Sequence, residues 1–214
     1  MPRGLFFWAG ACYNKAMEKL KREFYLQDGL SLAQNLLGKI LVRHAPDGVT
    51  KGRIVETEAY MGPADAAAHS YKNRPSQRTN IQYGPGGFAY VYLIYGMYYC
   101  LNVVANVAGK PEVALIRALE PVAGIEQMEA RRGGKTGRAL ANGPGKLCQA
   151  MAIDKSCHEL DLCGDILYIE EAPPPDALQI LTSRRINIDY AGEAADYPWR
   201  FLLRDNAYVS CKPR

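Results

Sequence analysis

Phe88-Ala89-Tyr90-Val91-Tyr92-Leu93-Ile94-Tyr95-Gly96-Met97-Tyr98-Tyr99-Cys100 is the stretch on which the fold reading turns. Five of the chain's 14 tyrosines fall within it. Aromatic and β-branched residues favour extended chain, and the glycine after Tyr95 lets that chain reverse. Residues 88–95 and 97–107 therefore read as a pair of strands. Period-two alternation puts Tyr90 and Tyr92 on one face and leaves Tyr95 at or beside the tip. Such a hairpin can simply cover the edge of a core. A bulky aromatic at its tip, however, has little to bury against in a single chain. It is well shaped to wedge between base pairs through the minor groove. Tyrosine faces also offer a stacking platform for an extruded base, at roughly 1–3 kcal/mol per base.

Working upstream, Gly52-Arg53-Ile54-Val55-Glu56-Thr57-Glu58-Ala59-Tyr60 reads as a strand with Glu56, Glu58 and Tyr60 on one face. Glutamates at i and i+2 usually mark the solvated side of a sheet. Here an aromatic shares their face, and His69 follows after a loop. A carboxylate beside aromatics is partly desolvated, which suits the abstraction of a proton. Parity does not choose between Glu56 and Glu58.

The remaining elements follow from local signals. Asp28 caps a short helix over 30–37 that Gly38 ends. Residues 39–44 and 50–60 pair through the Pro46-Asp47-Gly48 turn. Helices are predicted at 122–132, opened by Pro121 and closed by Gly133, and at 145–152. Short strands near 165–170, 178–188, 199–204 and 207–211 complete the chain, with Pro173-Pro174-Pro175 as a rigid connector. The expected fold is mixed α/β: one compact domain on a central, mostly antiparallel curved sheet, with surrounding helices and a protruding hairpin.

At 214 residues, with 48% hydrophobic and 22% charged residues, the chain suits one soluble domain that needs no disulfide or metal to hold its core. The net charge of +4 is unevenly placed. Arg131, Arg132, Lys135, Arg138 and Lys146 lie in a run without a carboxylate, whereas 154–176 holds seven carboxylates and one lysine. A basic, glycine-rich stretch fits a phosphate-facing side, and two solvated loops of opposite sign fit equally well. The six cysteines form no zinc-type spacing and suggest a reducing compartment. Residues 1–22 read as a loosely specified leader, its apolar run of about four or five residues too short for a secretory signal or a membrane span. The domain then occupies 23–214, in the cytoplasm with the nucleoid if bacterial, in the nucleus if eukaryotic, and not secreted.

The motifs in order closely resemble the alkyladenine (3-methyladenine) DNA glycosylase family. They are 52–60, Ala67-Ala68-His69-Ser70, 90–98, Leu101-Asn102, Leu115 to Pro121, Gly143 to Ala150 and Pro198-Trp199-Arg200-Phe201. The resemblance spans about residues 24–211. It implies a monofunctional glycosylase that flips a damaged purine out of duplex DNA, works without a covalent intermediate and uses no cofactor. It also implies Glu58, not Glu56, as the base that activates water, with Arg117 holding the water and the flipped nucleotide's phosphate. By the same match Tyr60, His69 and Tyr92 line the base pocket. Asn102 sits at its floor and disfavours guanine's amino group. Tyr95 fills the gap in the duplex, with Met97 and Tyr98 beside it in the minor groove. Residues 71–83 depart from the family pattern, and Asn187 stands where the family usually has glycine. Asparagine tolerates a left-handed backbone, so only a small stability cost is expected.

The expected partner is double-stranded DNA containing damaged purines, met by a monomer without membrane attachment and without metal. No lysine falls within 52–70 or 86–103, so those motifs offer no Schiff-base nucleophile. Two rivals remain at this stage: a non-catalytic binder of distorted DNA, and a metal-dependent hydrolase using Glu56, Glu58 and His69. His44 and His158 lie outside the motifs and read as surface residues.

Overall fold

The computed structural model describes residues 17–176 and 179–213. Its sheet is antiparallel at every pairing: β1 (Ile40–Ala45), β2 (Gly48–Tyr60), β3 (Ala89–Ile94), β4 (Tyr98–Ala105), β5 (Glu112–Ala123), β6 (Leu167–Glu170), β7 (Ile180–Ser183) and β8 (Arg200–Leu203). The order across it is β3-β4-β5-β2-β1-β6. β2 is the keel. One edge pairs with β5, while the other takes β1 along Gly48–Arg53 and β8 along Glu56–Glu58. Glu56 and Glu58 are thus hydrogen-bonded on both sides, in the middle of the sheet.

Four short helices pack around it: α1 (Arg22–Tyr25), α2 (Gly29–Asn35), α3 (Ile125–Arg131) and α4 (Pro144–Ala150). Asp28 caps α2 by accepting from the backbone N–H groups of Leu30 and Ser31, as its position predicts. Leu32 and Leu36 enter the same core as Ile54, Ile116 and Leu119. The Thr57 hydroxyl donates to Ala33 C=O at 2.6 Å, which fixes α2 to β2. The result is the expected mixed α/β domain on a curled antiparallel sheet.

Several boundaries differ from the sequence reading. Residues 112–123 are a strand, and Pro121 lies within it rather than opening a helix. Pro121 faces Gly52, where the β2–β5 register shifts, and such an irregularity is where a strand tolerates a missing donor. The helix starts at Ile125, after Gly124 at φ 69°; a Cβ there would come within 2.3 Å of Val49 C=O. The strand expected over 178–188 ends at Ser183, with 177 and 178 outside the described residues. No strand forms over 207–211, because the Ser210 N–H goes to Glu56 instead of a ladder.

Residues 1–16 of the expected leader, with Cys12, lie outside the described residues. Residues 17–22 join the domain: Leu20 is buried and its N–H bonds Ile169 C=O at 2.8 Å. No described helix is long and apolar enough to cross a membrane.

Candidate active site

Strand register assembles the site. A single cross-strand row runs Glu58, Leu115, Asn102, Tyr90 through β2, β5, β4 and β3. Side chains in such a row share one face of the sheet. The hairpin adds its own pairs on that face, Tyr92 opposite Cys100 and Ile94 opposite Tyr98. Leu115, Asn102, Tyr90 and the hairpin pairs wall a cavity of about 670 Å³, completed by Tyr60, His69 and Arg117, by Gly143 to Lys146, and by Ile186 to Ile188. Such a volume suits a small organic ligand.

Behind the floor lie the two glutamates, both fully buried. Glu56 Oε1 accepts from Arg117 Nε at 2.9 Å, Arg200 Nε at 2.8 Å and Ser210 Oγ at 2.8 Å, and its Oε2 accepts from Ser210 N–H at 2.6 Å. Four donors saturate a carboxylate. Burial alone would raise its proton affinity, but Arg117, Arg200 and Ser210 hold it below the usual carboxylate range. Glu58 Oε2 accepts from the Tyr60 hydroxyl at 2.9 Å and Arg117 Nη1 at 3.2 Å, and its Oε1 accepts from Ile186 N–H at 2.8 Å. Three donors leave one acceptor position open. Tyr60 and Arg117 line the cavity, whereas neither Arg200 nor Ser210 does. The asymmetry between the glutamates, invisible to parity, is therefore structural. Burial opposes the Arg117 charge, and the carboxylates of Glu58 and Glu56 more than offset it, raising the guanidinium further above its ordinary value.

The walls are aromatic. His69 and Tyr92 meet edge to face with ring centroids 4.6 Å apart, and Tyr90 lies 5.3 Å from Tyr92. His69 Nδ1 is 2.7 Å from the Tyr90 hydroxyl. Burial and the nearby Arg78 lower His69 to about 4, so the ring is neutral near pH 7. Burial raises the Tyr90 hydroxyl to about 12 and raises Tyr92 further. Tyr60 is raised by burial and by the Glu58 carboxylate. Asn102 is buried and donates Nδ2 to Tyr90 C=O at 3.1 Å. Behind Tyr60, fully buried Arg185 places its guanidinium 4.8 Å from the ring centre and grips Asp65 through both nitrogens at 2.5 and 2.9 Å.

At the hairpin tip Tyr95 is 71% exposed and holds φ 54°. Tyr98 crosses to the start of α4, where a Cβ on Gly145 would lie 3.0 Å from the Tyr98 side chain and would push it back by a few tenths of an ångström.

Arg117, Tyr60, His69, Tyr92, Asn102, Tyr95 and Tyr98 thus come together at one cavity, with Glu58 buried behind Tyr60 and Arg117. Met97 does not line it; it lies over a second cleft of about 390 Å³ on the other side of the tip. Three placements bear on the sequence reading. Lys146 lines the cavity, so a lysine is present there although none lies in the hairpin or carboxylate motifs. Arg131, in the basic run, pairs with Asp47. His158 is half-buried, accepts from Val91 N–H and packs 5.8 Å from Tyr90, while His44 is exposed as expected. The metal set does not assemble: Arg117 bridges the two carboxylates, and His69 Nδ1 faces Tyr90. Among the described residues no group of three His, Cys, Asp or Glu is placed to hold a metal ion.

Sequence reasoning missed Asp65, Arg185, the Ile186 N–H and Tyr190. Arg185-Ile186-Asn187-Ile188 carried the one usable signal, a left-handed site at Asn187, which indeed holds φ 59°.

Residues 23–207 match the sequence model of the methylpurine-DNA glycosylase family. A protein of Desulfitobacterium hafniense is 49% identical over 204 residues, 92% of this chain and 100% of its own length. Proteins of Alkaliphilus oremlandii and Clostridium acetobutylicum are 49% and 50% identical, covering 91% and 90% of this chain and 100% and 97% of their own. All three bear the name "Putative 3-methyladenine DNA glycosylase".

Proposed function

The chain belongs to the methylpurine-DNA glycosylase family, and from that premise we propose that it excises alkylated or deaminated purines from duplex DNA by hydrolysis. The substrates are of the 3-methyladenine, 7-methylguanine, hypoxanthine and ethenoadenine class. One observation carries the reading: an aromatic-walled cavity whose floor residues, Tyr60 and Arg117, both bond to Glu58.

The target bond is out of reach inside a stacked duplex, so the nucleotide is extruded at a cost of a few kcal/mol. Tyr95 occupies the vacated space, and Tyr60, His69 and Tyr92 enclose the base. A cationic alkylated purine gains about 0.5–2 kcal/mol from the tyrosine faces, and neutral lesions are chosen by fit. The glycosidic bond breaks toward an oxocarbenium-like sugar. Glu58 stabilises that positive charge and takes a proton from water at the acceptor position its three donors leave open. The water oxygen bonds to C1′ as the C1′–N bond breaks, and the bonding electrons leave with the purine. A cationic purine leaves neutral, a neutral one leaves as an anion that takes a proton from solvent, and Glu58 gives its proton back to solvent. The product is an abasic sugar and free base. Residues 23–214 act as one domain and one copy serves one lesion, in whichever compartment holds the DNA.

The experiment is incubation with a duplex containing hypoxanthine or a methylated purine, followed by alkaline cleavage at abasic sites. Wild type releases base, with or without EDTA. Glu58→Gln keeps lesion binding and loses release. Binding without release by the wild type would leave only a DNA-distortion binder. Because water is the nucleophile, borohydride traps no adduct; a trapped adduct that disappears in Lys146→Ala would replace this mechanism with a lyase.

A further inference from the structure

Tyr95 has a counterpart on the lining of the same cavity, outside the hairpin. Tyr190 is 73% exposed, as open as Tyr95, and lines the same cavity from a different segment of chain. Nothing in the fold needs a large apolar ring there. The segment beneath it is firmly held: Ala191 and Ala194 are buried against Ala67 and Ile188, with Tyr60 packed alongside. Ala194 C=O accepts from Arg185 Nη2 at 3.0 Å, which ties this segment to the buried pair behind Tyr60. Tyr190 joins Tyr95 and Tyr98, also exposed and lining the same cavity, so the open rings are grouped around one site and not scattered singly, as at a binding surface.

We propose that Tyr190 is a second DNA-stacking residue, one that grips the damaged strand itself at the rim while Tyr95 holds open the duplex. The inference rests on the reading that this cavity accepts an extruded nucleotide, and it adds a residue that this reading does not use. The two tyrosines have different jobs. Tyr95 sits at a hairpin tip and substitutes for a lost stacking partner, so its contribution depends on there being a duplex to open. Tyr190 stands on the cavity wall, in the same segment as Ile188 and outside the hairpin, so its contribution depends on the strand that enters the cavity.

The test is binding of a hypoxanthine-containing oligonucleotide, single-stranded and duplex, measured by fluorescence anisotropy with Glu58→Gln as the parent so that no base is lost. Tyr190→Ala should weaken binding to both forms by roughly five- to 150-fold, the range of one base–aromatic stack. Tyr95→Ala should weaken binding to the duplex and largely spare the single strand. Tyr190→Phe, which keeps the ring, should recover most of the loss. Tyr190 is exposed, so an unchanged urea midpoint shows that its replacement has not disturbed the fold. The inference is overturned if Tyr190→Ala binds both forms like its parent, or if its loss is confined to the duplex. Base release by the wild type is read separately. No release together with the Tyr190→Ala binding defect would sink the hydrolase reading and leave the second contact standing.

Discussion

Arg117 and Glu58 form an enclosed ion pair: Nη1 donates to Oε2 at 3.2 Å, with side chains 9% and 0% exposed. The same guanidinium gives Nε to Glu56, so one cation links a structural carboxylate to one buried just behind the cavity floor. Glu56 has Arg200 and Ser210 in reserve, while Glu58 has only neutral donors besides Arg117. The pair is therefore unequal in what it would lose.

Arg117→Gln should destabilise the protein by about 3–5 kcal/mol, the cost of leaving a buried charge without its partner. The loss falls chiefly on Glu58. Urea unfolding at neutral pH measures it, and Arg117→Gln combined with Glu58→Gln should recover a large part because the orphaned charge is gone. A loss below 1 kcal/mol would mean that Arg200 already neutralises the site.

The Asp65–Arg185 pair is wholly buried and offers the converse test. Asp65→Asn keeps the shape but strands the guanidinium among Ala59 C=O, Ala194 C=O, Tyr60 and Trp199, at a cost of about 3–5 kcal/mol. Asp65→Leu with Arg185→Met should be less damaging than the two single losses summed, as measured by denaturant midpoints.

His69 sets an acid limit with a definite sign. Its folded value is lowered from 6.5 to about 4, by burial first and then by Arg78. Between those values the unfolded chain binds a proton that the folded chain does not, so stability falls as pH drops from about 6.5 toward 4. Glu56, held below the carboxylate range, acts in the same direction but at lower pH. Urea midpoints of wild type and His69→Gln across pH 7.5 to 4.5 should show the wild type losing ground as pH falls. A constant difference would show that His69 titrates as it does in the unfolded chain.

The elements that sequence made legible are those whose signal is local. The tyrosine alternation of 88–100 gave strand, face and tip together, because a half-buried hairpin is written at period two. Asp28 and Gly38 bounded their helix by capping chemistry alone. What escaped depends on distant partners. β5 is buried on both faces from Val113 to Leu119, so that run shows no alternation, and Pro121 read more naturally as a helix start. Glu56 and Glu58 share a face, and only Arg200 and Ser210, over 140 residues away in the chain, separate them. The Ile186 N–H was unreadable because no side chain announces a backbone donor.

Tyr95 holds φ 54° at the tip, a conformation that costs a bulky L-residue about 1–2 kcal/mol. Gly96 beside it has φ 69°, so the turn already places a glycine where it can and leaves the strained position to an aromatic. The ring is 71% exposed and returns almost nothing to the fold by burial. Tyr95→Gly relieves the strain, set against the extra freedom glycine brings to the unfolded chain, of roughly 0.5–1 kcal/mol. The net expectation is a variant as stable as wild type or up to about 1 kcal/mol more so, with excision from duplex DNA reduced at least tenfold. Thermal unfolding and single-turnover base release on the same preparation decide it. A destabilised Tyr95→Gly would mean that the ring supports the hairpin. A stable variant with full activity would mean that the strained turn serves no substrate.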